Sequence, residues 1–272
     1  MGNRKASSRA PVPAKGLSRD ESYALGKKLR DACPREAHAG WTAPKNRPDA
    51  VDLVLQSEQG RVPDLLPLRH GRMAKSAFTF SRGAALTMAS DLSGTPVSGI
   101  RVQACGDAHL CNFGGFATPE RKVIFSINDL DETLPAPWEW DVKRLAPSFV
   151  VACRDNGLSD AVAKEAVLTA VRTYRESIAE FSEMKTLELW YRMMTAEELI
   201  ADLPPAFRKR VVKRIQKEQA KSRGEELFPK LAEHIGDVPV IKDLLPTIFH
   251  TTDNPPGQVQ KYFRDAFATY HD

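Results

Sequence analysis

Asp107, His109 and Asn112 share the run Cys105-Gly106-Asp107-Ala108-His109-Leu110-Cys111-Asn112, and Asp129, Asp131 and Glu132 crowd a second run shortly downstream. Carboxylates and a carboxamide are hard oxygen donors. The cation they suit is Mg²⁺, which takes one or two protein carboxylates and fills the rest of its shell with water and substrate phosphate. A carboxylate left off the metal can accept a proton from an attacking hydroxyl. Phosphoryl transfer uses both functions: an Asp, an Asn five positions later, and a separate downstream Asp for the metal. Asp107 and Asn112 have that spacing, and Asp129 follows. Asp and Asn are also common turn formers, so the reading rests on spacing as well as residue type.

Short strands must position these runs. Ile100, Val102 and Ala104 alternate with polar neighbours, as do Val123, Phe125 and Ile127, which is the period of a half-buried strand. Each predicted strand discharges into one acidic run, so a divalent cation could be gripped by Asn112 and Asp129, with Asp131 as a further ligand and Asp107 alongside. Gly114-Gly115 reads as a turn.

Helices are predicted on both sides of this core. Upstream, Ser18 and Glu21 form a capping box for a helix ended by Pro34, and further helices are expected over 49–59 and 64–75. Arg69, Arg72 and Lys75 are expected to be solvated. Phe78 and Phe80 precede a helix predicted from Arg82 to Asp91, with the Arg82 guanidinium near its start and suited to gripping phosphate. Downstream, Val142, Leu145, Phe149 and Ala152 mark a buried helix with Asp141 in its first turn, a kink at Pro147, and Lys143 and Arg144 on a charged face. A long helix from Ser159 to Phe181 follows. The fold class is α+β, predominantly helical. The segments are a disordered basic tail (1–17), a helical region (18–98), a catalytic-loop and metal-loop core (99–157) and a second helical region (158–272).

The runs FSRGAA, CGDAHLCNFG, NDLDET and PWEWDVKRLA resemble a bacterial family known as domain of unknown function 2252 (DUF2252). More distantly, GDAHLCN, SINDLD and EWDVKRLA are similar to the catalytic loop, metal segment and following helix start of aminoglycoside and choline kinase-like phosphotransferases. The kinase-like resemblance implies Asp107 as general base, Asn112 and Asp129 as Mg²⁺ ligands, Asp131 as auxiliary ligand, and His109 and Asp141 as braces of the loop. ATP is the implied donor. Cys105 departs from the His or Tyr usual before Gly-Asp. No G-x-G-x-x-G and no V-A-I-K lysine precedes Asp107. In longer DUF2252 members such elements follow the region where this chain stops, which implies a permuted kinase-like fold resembling the C-terminal lobe, truncated here.

Composition excludes other classes. The 272 residues are 42% hydrophobic and 27% charged, enough to bury a core, and no apolar run reaches membrane-spanning length. Four cysteines without C-x-x-C spacing suggest neither zinc nor a disulfide framework, and reduced thiols in a cytoplasmic protein are the expectation. Two other readings remain open. The basic helix predicted over 205–223 could lie on nucleic acid or anionic lipid, and the terminal stripe of Val259, Phe263, Phe267 and Tyr270 could seek a partner, which together describe a binding or assembly protein. The same carboxylates could also serve a metal-dependent phosphohydrolase, with water replacing an acceptor hydroxyl.

Overall fold

In the computed structural model, which describes residues 16–120, 122–222, 228–250 and 256–268, helices predominate and the strands of the described residues form three small antiparallel sheets. The fold is α+β with helix predominating. Most of the tail expected to be disordered, and Tyr270 of the terminal stripe, lie outside the described residues. The chain divides into two compact units, 1–215 and 216–272.

The first unit opens with α1 (Arg19–Ala32), whose Ser18 hydroxyl accepts from the Glu21 N–H while the Glu21 carboxylate accepts from the Ser18 N–H, the reciprocal cap predicted from spacing. Helices α2 (Ala50–Gln56) and α3 (Leu66–Met73) follow. The helix predicted to begin at Arg82 is two helices, α4 (Ala77–Arg82) and α5 (Ala85–Leu92). Ser76 and Thr79 cap α4 reciprocally, which starts it upstream of the phenylalanines. At Gly83 the chain passes so close to α3 that a Cβ would fall 2.6 Å from Met73 Sδ. Arg82 therefore ends a helix and does not begin one.

Strands β1 (Arg101–Ala104) and β3 (Val123–Ile127) coincide with the two alternating runs. Gly114 and Gly115 are not a turn. They lie in β2 (Phe113–Ala117), which pairs antiparallel with β3 from Phe113↔Ile127 to Ala117↔Val123. That pairing holds the glycines extended, and a Cβ on residue 114 would lie 2.5 Å from Asn128 Nδ2. Strand β4 (Leu134–Pro137) returns beside β1, from Arg101↔Pro137 to Ala104↔Leu134.

Helix α6 (Glu139–Asp155) runs through Pro147, which is exposed. It packs along α7 (Asp160–Glu183), started by the Ser159 cap. Trp138 stacks on Tyr174 with ring centroids 5.9 Å apart and donates from Nε1 to Ser98 Oγ at 3.0 Å. The apolar stripe of α7 is only partly covered, since Val171, Tyr174 and Ile178 are exposed. Helix α8 (Thr186–Trp190) leads to β5 (Met194–Thr195), a third strand beside β3, then to α9 (Ala196–Asp202) and the basic α10 (Pro205–Ser222). On α10, Lys209, Arg210, Lys213 and Arg214 are exposed, whereas Arg208 donates to the carbonyls of Leu203 and Ala201.

In the second unit the single turn α11 (Phe228–Leu231) precedes a hairpin of β6 (Ala232–Ile235) and β7 (Val238–Ile241), and α12 (Pro256–Ala268) carries the terminal apolar residues. Among the described residues no helix is long and apolar enough to cross a membrane.

Candidate functional site

The two acidic runs face each other between two rungs of antiparallel ladder. The loop 105–112 leaves β1 at Ala104, which pairs with Leu134, and enters β2 at Phe113, which pairs with Ile127. The loop 128–133 connects the same two rungs in the opposite direction. Strand pairing alone thus brings the runs together. Asn112 then straps them: it is 5% exposed, and its Nδ2 donates to the backbone carbonyls of Asp107 at 3.1 Å and Asp129 at 3.0 Å. The Asn128 N–H adds a bond to the Asn112 carbonyl at 2.9 Å. Since both amide hydrogens are committed, Oδ1 is the Asn112 atom left to meet a ligand. Gly106 makes the turn possible with φ near +83°, where a Cβ would overlap the carbonyl oxygen of Glu132.

Helix α6 holds the first loop by one face. Asp141 Oδ2 and Oδ1 accept from the N–H groups of Cys105 at 2.7 Å and Gly106 at 3.1 Å. Ser148 Oγ accepts from the Leu110 N–H at 2.9 Å. Between them Arg144, 6% exposed, donates from Nε and Nη2 to Asp107 Oδ1 at 2.9 and 2.5 Å, and from Nη2 to the Ser81 carbonyl of α4. This overturns the expectation that Arg144 lies on a charged outer face. Lys143 is likewise engaged, through Thr95 Oγ1 and the Pro96 carbonyl.

With Oδ1 committed to Arg144, Asp107 turns Oδ2 toward His109 Nε2 at 3.5 Å. His109 is buried, its backbone N–H donates to the Asp107 carbonyl at 2.8 Å, and its Nδ1 has no hydrogen-bond partner among the described residues. Burial holds its imidazole below the usual histidine range, the charges of Arg144 and Arg82 add to that, and Asp107 opposes it. Burial also pushes the Cys105 thiol up, reinforced by the charges of Asp141, Asp107 and Asp129, so it is a protonated neighbour of the Asp129 carbonyl.

The second loop is more open. Asp129 and Asp131 are exposed, and the Asp131 N–H donates to Asp129 Oδ1 at 3.3 Å. Glu132 is pushed above the ordinary glutamate range, first by burial and then by Asp107, Asp129 and Asp131, with Arg61 opposing at 4.0 Å. Among the described residues no three His, Cys, Asp or Glu side chains converge into a ready-made metal cage.

Over residues 61–272 the chain matches the family described as uncharacterized proteins conserved in bacteria, DUF2252. The chain belongs to this family. No curated protein and no solved structure matches it.

Within this DUF2252 chain, the sequence-predicted residues Asp107, His109, Asn112, Asp129 and Asp141 come together around the two loops. Asp131 sits on the rim, and Arg82, the last residue of α4, acts on the group through its charge at His109. Arg144 and Ser148 were missed. Their signal was the helical phase of α6, because residues three and seven positions after an inward-facing Asp141 share its face. Arg69, expected to be solvated, donates from Nη2 to the Gly83 carbonyl at 2.7 Å and lies 3.7 Å from Glu58.

Proposed function

We propose that this chain carries the catalytic loops of a Mg²⁺-dependent, ATP-using phosphotransferase of kinase-like type. The observation that supports this most is the Asn112 strap, which joins the Asp107 and Asp129 turns and leaves an amide oxygen over. Asp107 accepts the acceptor's hydroxyl proton at Oδ2, the oxygen Arg144 does not occupy. Asp141 and Ser148 hold the loop so that this oxygen stays in place.

The donor set suits Mg²⁺. Asp129 and Asp131 offer exposed carboxylates and Asn112 offers Oδ1, while burial first, and then the charges of Asp107, Asp129 and Asp131, hold Glu132 above the ordinary glutamate range. An ion that keeps several waters and takes substrate phosphates needs no complete protein cage. When bound, it would neutralise charge on the transferring phosphoryl group.

The test is calorimetric titration of the full chain with a non-hydrolysable ATP analogue, with and without Mg²⁺. Binding is expected to strengthen with Mg²⁺, and Asp129→Asn is expected to remove that increment. Binding that ignores both the metal and Asp129→Asn would reject the assignment.

A further inference from the structure

Asp107 stands between two regions of opposite charge. On one side are the carboxylates of Asp129, Asp131 and Glu132. On the other are Arg144, already committed to Asp107, and Arg82, whose charge reaches the His109 imidazole. Arg82 is exposed and makes neither a hydrogen bond nor an ion pair among the described residues.

An exposed arginine is ordinarily a mobile, solvated charge, but the backbone carrying this one is pinned on both sides. The carbonyl before it, Ser81, accepts from Arg144 Nη2 at 2.5 Å, and the carbonyl after it, Gly83, accepts from Arg69 Nη2 at 2.7 Å. These bonds add to the Ala84 N–H, which also donates to the Ser81 carbonyl at 3.3 Å, in satisfying carbonyls at the end of α4. One of the two guanidiniums is the one that orients Asp107, so a single side chain links the Asp107 carboxylate to the backbone that presents Arg82.

We propose that Arg82 binds an oxyanion of the acceptor, and that the acceptor is therefore a hydroxyl compound that also carries a phosphate group. The role of Asp107 in this inference rests on the phosphotransferase reading. A guanidinium fork matches two phosphate oxygens, which a lysine point charge does not. Like charge keeps such an anion away from the Asp129 side, where a metal-bound donor phosphate belongs. Because Arg144 joins the Asp107 carboxylate to the backbone just before Arg82, an acceptor held at Arg82 by its phosphate would present its hydroxyl on the Asp107 side.

Glycerol 3-phosphate and inorganic phosphate, titrated into the full chain without Mg²⁺, test this. Arg82→Gln is expected to weaken glycerol 3-phosphate by about tenfold or more, the loss of a charge-assisted bond, and Arg82→Lys by less. Arg72→Gln, an exposed arginine of α3, should leave it unchanged, and Asp129→Asn, which removes a repelling charge, should not weaken it. The melting temperature of Arg82→Gln should match the parent, because no partner is lost. Absence of binding to the parent at millimolar phosphate, or equal binding by parent and Arg82→Gln, overturns the proposal. So does an Arg82→Gln defect confined to the Mg²⁺–ATP analogue, which would place Arg82 on the donor. If instead only the phosphotransferase reading fails, analogue binding ignores Asp129→Asn while the Mg²⁺-free phosphate titrations keep their dependence on Arg82.

Discussion

Replacing Arg144 by methionine keeps much of the side chain's apolar volume and deletes its charge, which isolates what the guanidinium does. Arg144 and Asp107 have side chains only 7% and 13% exposed, so solvent does little to screen them. The change strips two N–H donors from Asp107 Oδ1 and one from the Ser81 carbonyl. Removing one partner of a buried ion pair leaves the other charge uncompensated, at a cost of about 3–5 kcal/mol, and for a chain of this size the melting temperature should fall by roughly 10 °C. Urea unfolding followed by tryptophan fluorescence is a suitable assay, since Trp138 and Trp140 lie at the start of α6. Adding Asp107→Leu should restore about 2 kcal/mol or more, because removing both charges is far milder than removing one. A single variant within about 1 kcal/mol of the parent, the size of an exposed pair, would refute the argument. A double variant no more stable than the single would do so too.

Two further outcomes follow from the strap and from the buried imidazole. Asn112→Ala deprives two carbonyls of their donor and should cost about 2–4 kcal/mol, with faster hydrogen exchange at the Leu130 and Asp131 amides; unchanged exchange there would count against the strap. His109, held below the usual histidine range by burial, is protonated first in the unfolded chain. Stability should therefore fall as pH drops from neutral through about 6.5, and His109→Gln should flatten that slope; an identical slope in the variant would assign it to other groups.

Local rules made several elements readable in advance. The Ser18 and Glu21 cap depends on neighbours three residues away, and β3 depends on β-branched and aromatic residues within one short run. Both Asp107 and Asp129 could be singled out because spacing is a property of the chain. What sequence hid depends on distant partners. Gly114 is extended because it pairs with Ser126 of β3, and Asn128 and Met73 fill the spaces where Cβ atoms on residues 114 and 83 would point. Arg144 looked solvated because the acceptors that let it be buried lie in β1's loop and in α4. For Asn112, type and position suggested a ligand, but only the fold shows that its nitrogen is used internally and its oxygen is left over.

The arrangement on α6 has a consequence for how this site can change over generations. Asp141, Arg144 and Ser148 project from one rigid rod, so their separations are fixed by helix pitch. Inserting or deleting a single residue among them would swing the later contacts about 100° around the axis and release the loop. Novelty in ligand choice is therefore channelled to α4 and the β2–β3 hairpin, where alterations leave that rod's phase intact.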